Sequence, residues 1–171
     1  MKLKIIFKSS FIVLVTFFFL GCSKNSNKEL IYLSANELHI ANISLEKDIV
    51  HDFFSPPVAS RIYLYPNLIA YEVLAQKTDK YASLQAIFPD FPVIHKYDSE
   101  KTRPLAALYC FYAVANELVY TNKNLLLEIA RLDSIYADLP ELSKIKKYTK
   151  EVSKQLFSWM KDNGYDLTRN M

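Results

Sequence analysis

Glycine occurs at only two positions in this 171-residue chain, Gly21 and Gly164. A phosphate-cradling loop, a dinucleotide-binding turn and a nucleophile elbow each need several glycines, where the backbone turns sharply or approaches a ligand. None of the three can be built here. The same scarcity, with few Asn-Gly or Asp-Gly turn signals, disfavours hairpins and favours helices separated by prolines. The expected fold is all-α, a helical bundle of about five helices with no sheet, following a cleaved signal peptide.

The amino end has the layout of a secretory signal. Lys2, Lys4 and Lys8 make a positive region, and Phe11 to Leu20 are apolar apart from Thr16. A membrane span needs about 20 predominantly apolar residues, twice what this run supplies, so cleavage is expected. Phe19-Leu20-Gly21-Cys22 resembles a lipobox, with a small residue before the cysteine that takes the lipid. Residues 1–21 are therefore read as a lipoprotein signal, Cys22 as the lipid attachment site, 22–30 as a polar tether and 31–171 as a helical domain. Ser23 follows Cys22 where an aspartate would commonly signal inner-membrane retention, so the expected location is the cell envelope, lipid-anchored in the outer membrane.

Removing the three signal lysines from the 21 basic residues leaves the mature chain balanced against its 18 acidic ones. There is no basic stripe to neutralise a phosphate backbone, and nucleic-acid binding is not expected. Once Cys22 is acylated only Cys110 remains, which excludes an internal disulfide.

Apolar periodicity predicts a first helix over 35–54, with Ser34 as its cap, ended by Ser55-Pro56-Pro57. A second helix is predicted over 58–76, where Pro66 removes the bond to the Ile62 carbonyl and should kink the segment. Residues 77–101 read as a long loop with one short turn near 82–86; loops of this length are usually functional or pinned to a neighbour. Pro104 opens a third helix whose uncharged run over 105–115 suits a buried centre. Thr121 is the expected cap of a fourth helix over 122–138, and Pro140 starts a fifth that lasts to Asn163, with Gly164 as a left-handed stop.

Few residues suggest chemistry. Asp48, His51 and Asp52 share one helical face at metal-ligand spacing. A di-iron bundle needs a second acid-x-x-His pair, and neither His39 nor His95 follows an acid by three, so the segment is read as a solvated helix end. Cys110, between Tyr109 and Phe111, is read as core, because burial raises a thiol's pKa and hides it. Arg61, Tyr63, Tyr65 and Tyr71 could line a cleft around the second helix, and are read as the amphipathic edge of a core. No catalytic, cofactor or metal residue is assigned.

The stretch Asp52-Phe53-Phe54-Ser55-Pro56-Pro57-Val58-Ala59-Ser60-Arg61-Ile62-Tyr63, continuing through Tyr65-Pro66-Asn67 to Ala70-Tyr71-Glu72, resembles the N-terminal helical region of lipid-anchored members of the vanadium-dependent haloperoxidase and type 2 phosphatidic acid phosphatase superfamily. Pro104-Leu105-Ala106-Ala107 and the stretch from Trp159 to Arg169 extend it. The resemblance implies a helical protein whose full-length relatives bind phosphate, or vanadate as its mimic, in a bundle core. Their centre combines Lys-x6-Arg-Pro, Pro-Ser-Gly-His and Ser-Arg-x5-His-x3-Asp: cations neutralise the oxyanion, glycine admits backbone N–H groups, one histidine attacks or ligates, and another moves a proton.

Lys96 to Arg103-Pro104 matches the first spacing but lies upstream of the family's position, and is read as coincidental. Ser60-Arg61 matches the opening of the third, but Asn67 stands where histidine is required. Pro-Ser-Gly-His cannot occur, since Gly164 follows Asn163. The expectation is an N-terminal helical portion of a phosphatase- or haloperoxidase-like lipoprotein, inactive alone, whose partners are the membrane and a C-terminal catalytic segment absent here. Vanadate or phosphate is implied only for full-length relatives. The other reading is a stand-alone binding or scaffold lipoprotein of the outer membrane that uses its aromatic second helix.

Overall fold

A computed structural model describes residues 33–169. The signal, Cys22 and the tether lie outside the described residues. Those described form six α-helices and no strand, the sixth being a single turn. No helix among them is long and apolar enough to cross a membrane.

Helix α1 spans Ala35–His51, with Ser34 accepting a bond from the Asn36 N–H as its cap. It stops short of the expected Phe54 because Phe53 takes a left-handed conformation, φ 54°. Helix α2, Pro56–Ala75, begins earlier than expected, for both prolines occupy first-turn positions where an N–H has no helical partner. It runs unbroken through the buried Pro66. Lys77, at φ 56°, turns the chain away from it.

The segment between α2 and α3 contains one 3₁₀ turn, Leu84–Ala86, and is pinned to its neighbours from Ala82 to Tyr97. The buried Glu72 carboxylate accepts from Ser83 Oγ and the Leu84 N–H, both at 2.7 Å. Gln76 receives the Tyr97 N–H at 2.7 Å and donates to the His95 carbonyl. From the other side Tyr148 donates to that same carbonyl and Trp159 to Asp90. Phe91, Ile94 and Tyr97 are buried beneath. This loop is a strap tying α2 to the fifth helix.

Helix α3, Arg103–Leu118, is the hub. It packs against α1, α2, α4 (Lys123–Ile135) and α5 (Leu142–Asp162). Its apolar run buries Leu105, Phe111, Tyr112, Val114 and Leu118 almost completely, each contributing about 1.5–3 kcal/mol through removal of apolar surface from water. Helices α4 and α5 are shorter than predicted: Tyr136 caps α4, Glu141 precedes α5, and Asn122 rather than Thr121 holds the α4 cap position. Gly164 takes φ 71° as expected, but the chain re-enters a helical turn, α6, Tyr165–Thr168.

Candidate functional site

The acid cluster on α1 is neither a metal centre nor a solvated helix end. Asp48 is 0% exposed. Its Oδ1 accepts from the Asn124 N–H at 3.2 Å and from Asn124 Nδ2 at 2.6 Å, and its Oδ2 accepts from the Leu125 N–H at 3.1 Å. One turn on, Asp52 accepts the backbone N–H groups of Tyr120, at 2.6 Å, and Thr121, at 2.9 Å. Helix α4 lacks a side-chain cap from Asn122, so a neighbouring helix supplies anionic acceptors where the dipole favours them. Burial opposes the charge on Asp52, but the Thr121 and Tyr120 bonds hold its carboxyl below the usual range. His51 is exposed, and among the described residues no group of three or more His, Cys, Asp or Glu could hold a metal ion.

Arg103 lies at the start of α3 and is buried, donating Nη1 to the Gln76 carbonyl at 2.8 Å, where the cation meets the negative end of α2. Its Nη2 is 3.8 Å from Glu100. Lys96 is exposed on the strap. The pair matched by spacing is thus split between a buried structural tie and solvent, and these two cations do not converge on one anion. Cys110 is fully buried beside Thr149, and burial pushes its thiol up to about 12; it packs in the core as expected.

The aromatic second helix is engaged internally. Arg61 donates to the Tyr65 hydroxyl from Nε at 3.1 Å and Nη2 at 2.8 Å, and also bonds Thr168. Its guanidinium sits 5.2 Å from the centre of the Tyr165 ring, and Tyr65 meets Tyr165 and Trp159 edge to face. Tyr71 donates to the Ala82 carbonyl on the strap. This agrees with the core-edge reading rather than a cleft.

Two concavities among the described residues bear on ligand binding. An apolar one of about 300 Å³ lies between Leu38, Leu74 and Leu108 near the amino end of α1. The other, about 370 Å³, is lined by Leu118, Phe157 and Met160 together with charged side chains, among them Glu117, Lys161, Asp166 and Arg169. Arg169 also stands 4.9 Å above the Tyr120 ring and 5.7 Å from Phe54, which stack on each other at 5.1 Å. Sequence reasoning did not anticipate this corner, whose parts come from α3, α5, α6 and the turn after α1.

No family model matches the chain, nor does any curated protein. Among solved structures, a bacterial vanadium-dependent iodoperoxidase matches it with a TM-score of 0.74 and 31% sequence identity, over 84% of this chain and 35% of the iodoperoxidase. The chain thus spans about a third of that protein's length. In fold and in sequence it is related to the vanadium-dependent haloperoxidases, in keeping with the resemblance carried by its second helix.

Proposed function

We propose that this chain is the N-terminal helical portion of a phosphatase- or haloperoxidase-like lipoprotein, held to the outer membrane through Cys22 and without oxyanion chemistry of its own. The match to a third of the iodoperoxidase over most of this chain carries the reading. The split between Lys96 and Arg103 supports it, because stabilising a transferring group needs converging, pre-placed cations. Phosphate or vanadate chemistry would belong to a further segment.

The purified chain is expected to show p-nitrophenyl phosphate hydrolysis and halide oxidation with vanadate and peroxide at the level of the blank. Activity above blank that Lys96→Ala or Arg103→Lys abolishes would assign a working site to the matched spacing and overturn the reading.

Anchoring is tested separately. The Cys22→Ser variant should lose its lipid and move from the outer-membrane to the soluble fraction, since firm attachment takes more than one acyl chain. A processed variant that stays with the membrane would show that another contact holds it there.

A further inference from the structure

We infer that the apolar cavity at the start of α1 is the seat of Leu30-Ile31-Tyr32, the segment that joins the polar tether to the described fold, and that seating it fixes which end of the bundle faces the anchor. The seat itself is independent of the proposed function. Only the identity of the surface it faces, a membrane, rests on the lipid at Cys22.

The cavity, about 300 Å³, is walled by Leu33, Leu38, Leu74 and Leu108 with Pro104 and small residues between them, and no charged side chain is among its described lining. The wall is left half open. Leu74, near the end of α2, is 42% exposed, and Leu33 and Leu38 are only partly buried against the core. These last two flank the Ser34 cap, Leu33 just before it and Leu38 at the fourth position of α1. An apolar pair so placed sets the angle at which a chain enters its helix. Glu37, which could otherwise reach back to the Ser34 N–H, is turned to Arg131 instead. The chain before Ser34 is therefore steered by leucines that belong to the cavity's own wall.

The occupant follows from what precedes Leu33. Ser23 to Glu29 are polar without exception, and Leu30, Ile31 and Tyr32 then follow in unbroken succession. Such a run has no use in a solvated tether and gains by leaving water. Because the segment is continuous with Leu33, it stays concentrated beside the cavity, and seating it costs none of the translational freedom that a separate partner would lose. With it seated, only Ser23 to Glu29 remain free behind Cys22, a reach of at most about 30 Å. The first turn of α1, Leu74 of α2 and Pro104 at the start of α3 all meet at the cavity, so this is the end of the bundle turned towards the bilayer.

Thermal midpoints of the mature chain, with its lipid and as Cys22→Ser, test the seat. Leu30→Ser, Ile31→Ser and Tyr32→Ser made together should lower Tm by about 5 °C, whereas Lys24→Ser with Lys28→Ser should move it by about 1 °C or less. Leu74→Ser should lower Tm by about 3 °C in the parent and by less than about 1 °C once the three serines are present, because both changes remove one contact. Leu127→Ser, exposed on α4 and away from the cavity, should show no such coupling. Proteolysis gives a second readout on folded protein: Leu74→Ser should speed chymotryptic cleavage after Tyr32 about tenfold and leave tryptic cleavage after Lys28 unchanged. Additive Tm changes, or a Tyr32 bond cut equally fast in parent and variant, would overturn the seat. Coupling present with the lipid and absent in Cys22→Ser would assign the cavity to an acyl chain, and a dimer made monomeric by Leu74→Ser would assign it to a second copy; either overturns the inference. Coupling in a Cys22→Ser chain that still stays with the membrane would uphold the seat and count only against the proposed anchor.

Discussion

Raising the pH above about 10 should unfold the purified chain in one cooperative step, because several groups in its core hold their protons far more tightly when folded. Burial pushes the Cys110 thiol up to about 12. It drives the hydroxyls of Tyr109, Tyr112 and Tyr148 upward too, aided by the Asp133 carboxylate at Tyr109 and by Glu128 at Tyr112. In the unfolded chain thiols titrate near 8.5 and phenols near 10. A folded pKa above the unfolded one contributes stability that is fully present below the unfolded value and is lost as pH rises towards the folded value. Each group removes up to about 1.4 kcal/mol per pH unit in that window. Four together can remove an amount comparable with the roughly 5–15 kcal/mol that stabilises a domain. Far-ultraviolet circular dichroism should fall together with the final rise of tyrosinate absorbance. Cys110→Ala should flatten the onset between about pH 9 and 10. Full tyrosine ionisation with helicity intact at about pH 12 would contradict this account of the core.

The second large effect is expected at Asp48. Asp48→Ala leaves two backbone N–H groups at the start of α4, and the Asn124 amide, without their buried acceptor. Lost charge-assisted bonds and the desolvation of orphaned donors together cost about 3 kcal/mol, or roughly 10 °C in Tm for a domain of this size. Asp48→Asn keeps one acceptor oxygen and should cost about half as much. His39→Ala, on the exposed face of the same helix, should change stability by no more than about 0.5 kcal/mol. An alanine at 48 that melts like the parent would mean that α4 finds its cap elsewhere.

Asp48 also marks where the sequence stops being readable. Its spacing to His51 and Asp52 was visible, and metal ligation or solvent exposure followed as the local alternatives. The partners that settle its role are the N–H groups of Asn124 and Leu125, more than seventy positions away, and no periodicity within α1 encodes that distance. Thr121 and Asn122 gave half of the signal by marking the start of α4. Helices and breaks were legible because glycine and proline act locally: the doubled proline marked the break before α2, though the helix starts two residues earlier than read, and Gly164 marked the turn after α5. Helix ends moved where the cause was not local. Phe53 and Lys77 adopt left-handed conformations without being glycine or asparagine, and nothing in their side chains announces it. Arg61 with Tyr65 had the composition of a ligand cleft. Tyr165 and Thr168, about a hundred residues onward, turn it inward.

The position of α3 bears on how the chain acquires its shape. A polypeptide growing from its amino end presents α1 and α2 before the hub that both must cover, and those two make only a limited contact with each other. At roughly 5–20 residues per second, the interval before α3 is complete is on the order of seconds. During it Leu45, Ile49, Ile62, Ile69 and Val73, all buried in the finished protein, have no lasting partner. A holdase that recognises apolar nascent chain should therefore bind chains whose emerged part ends near residue 80 and release those whose emerged part extends past Leu118, making the third helix the committed step of assembly.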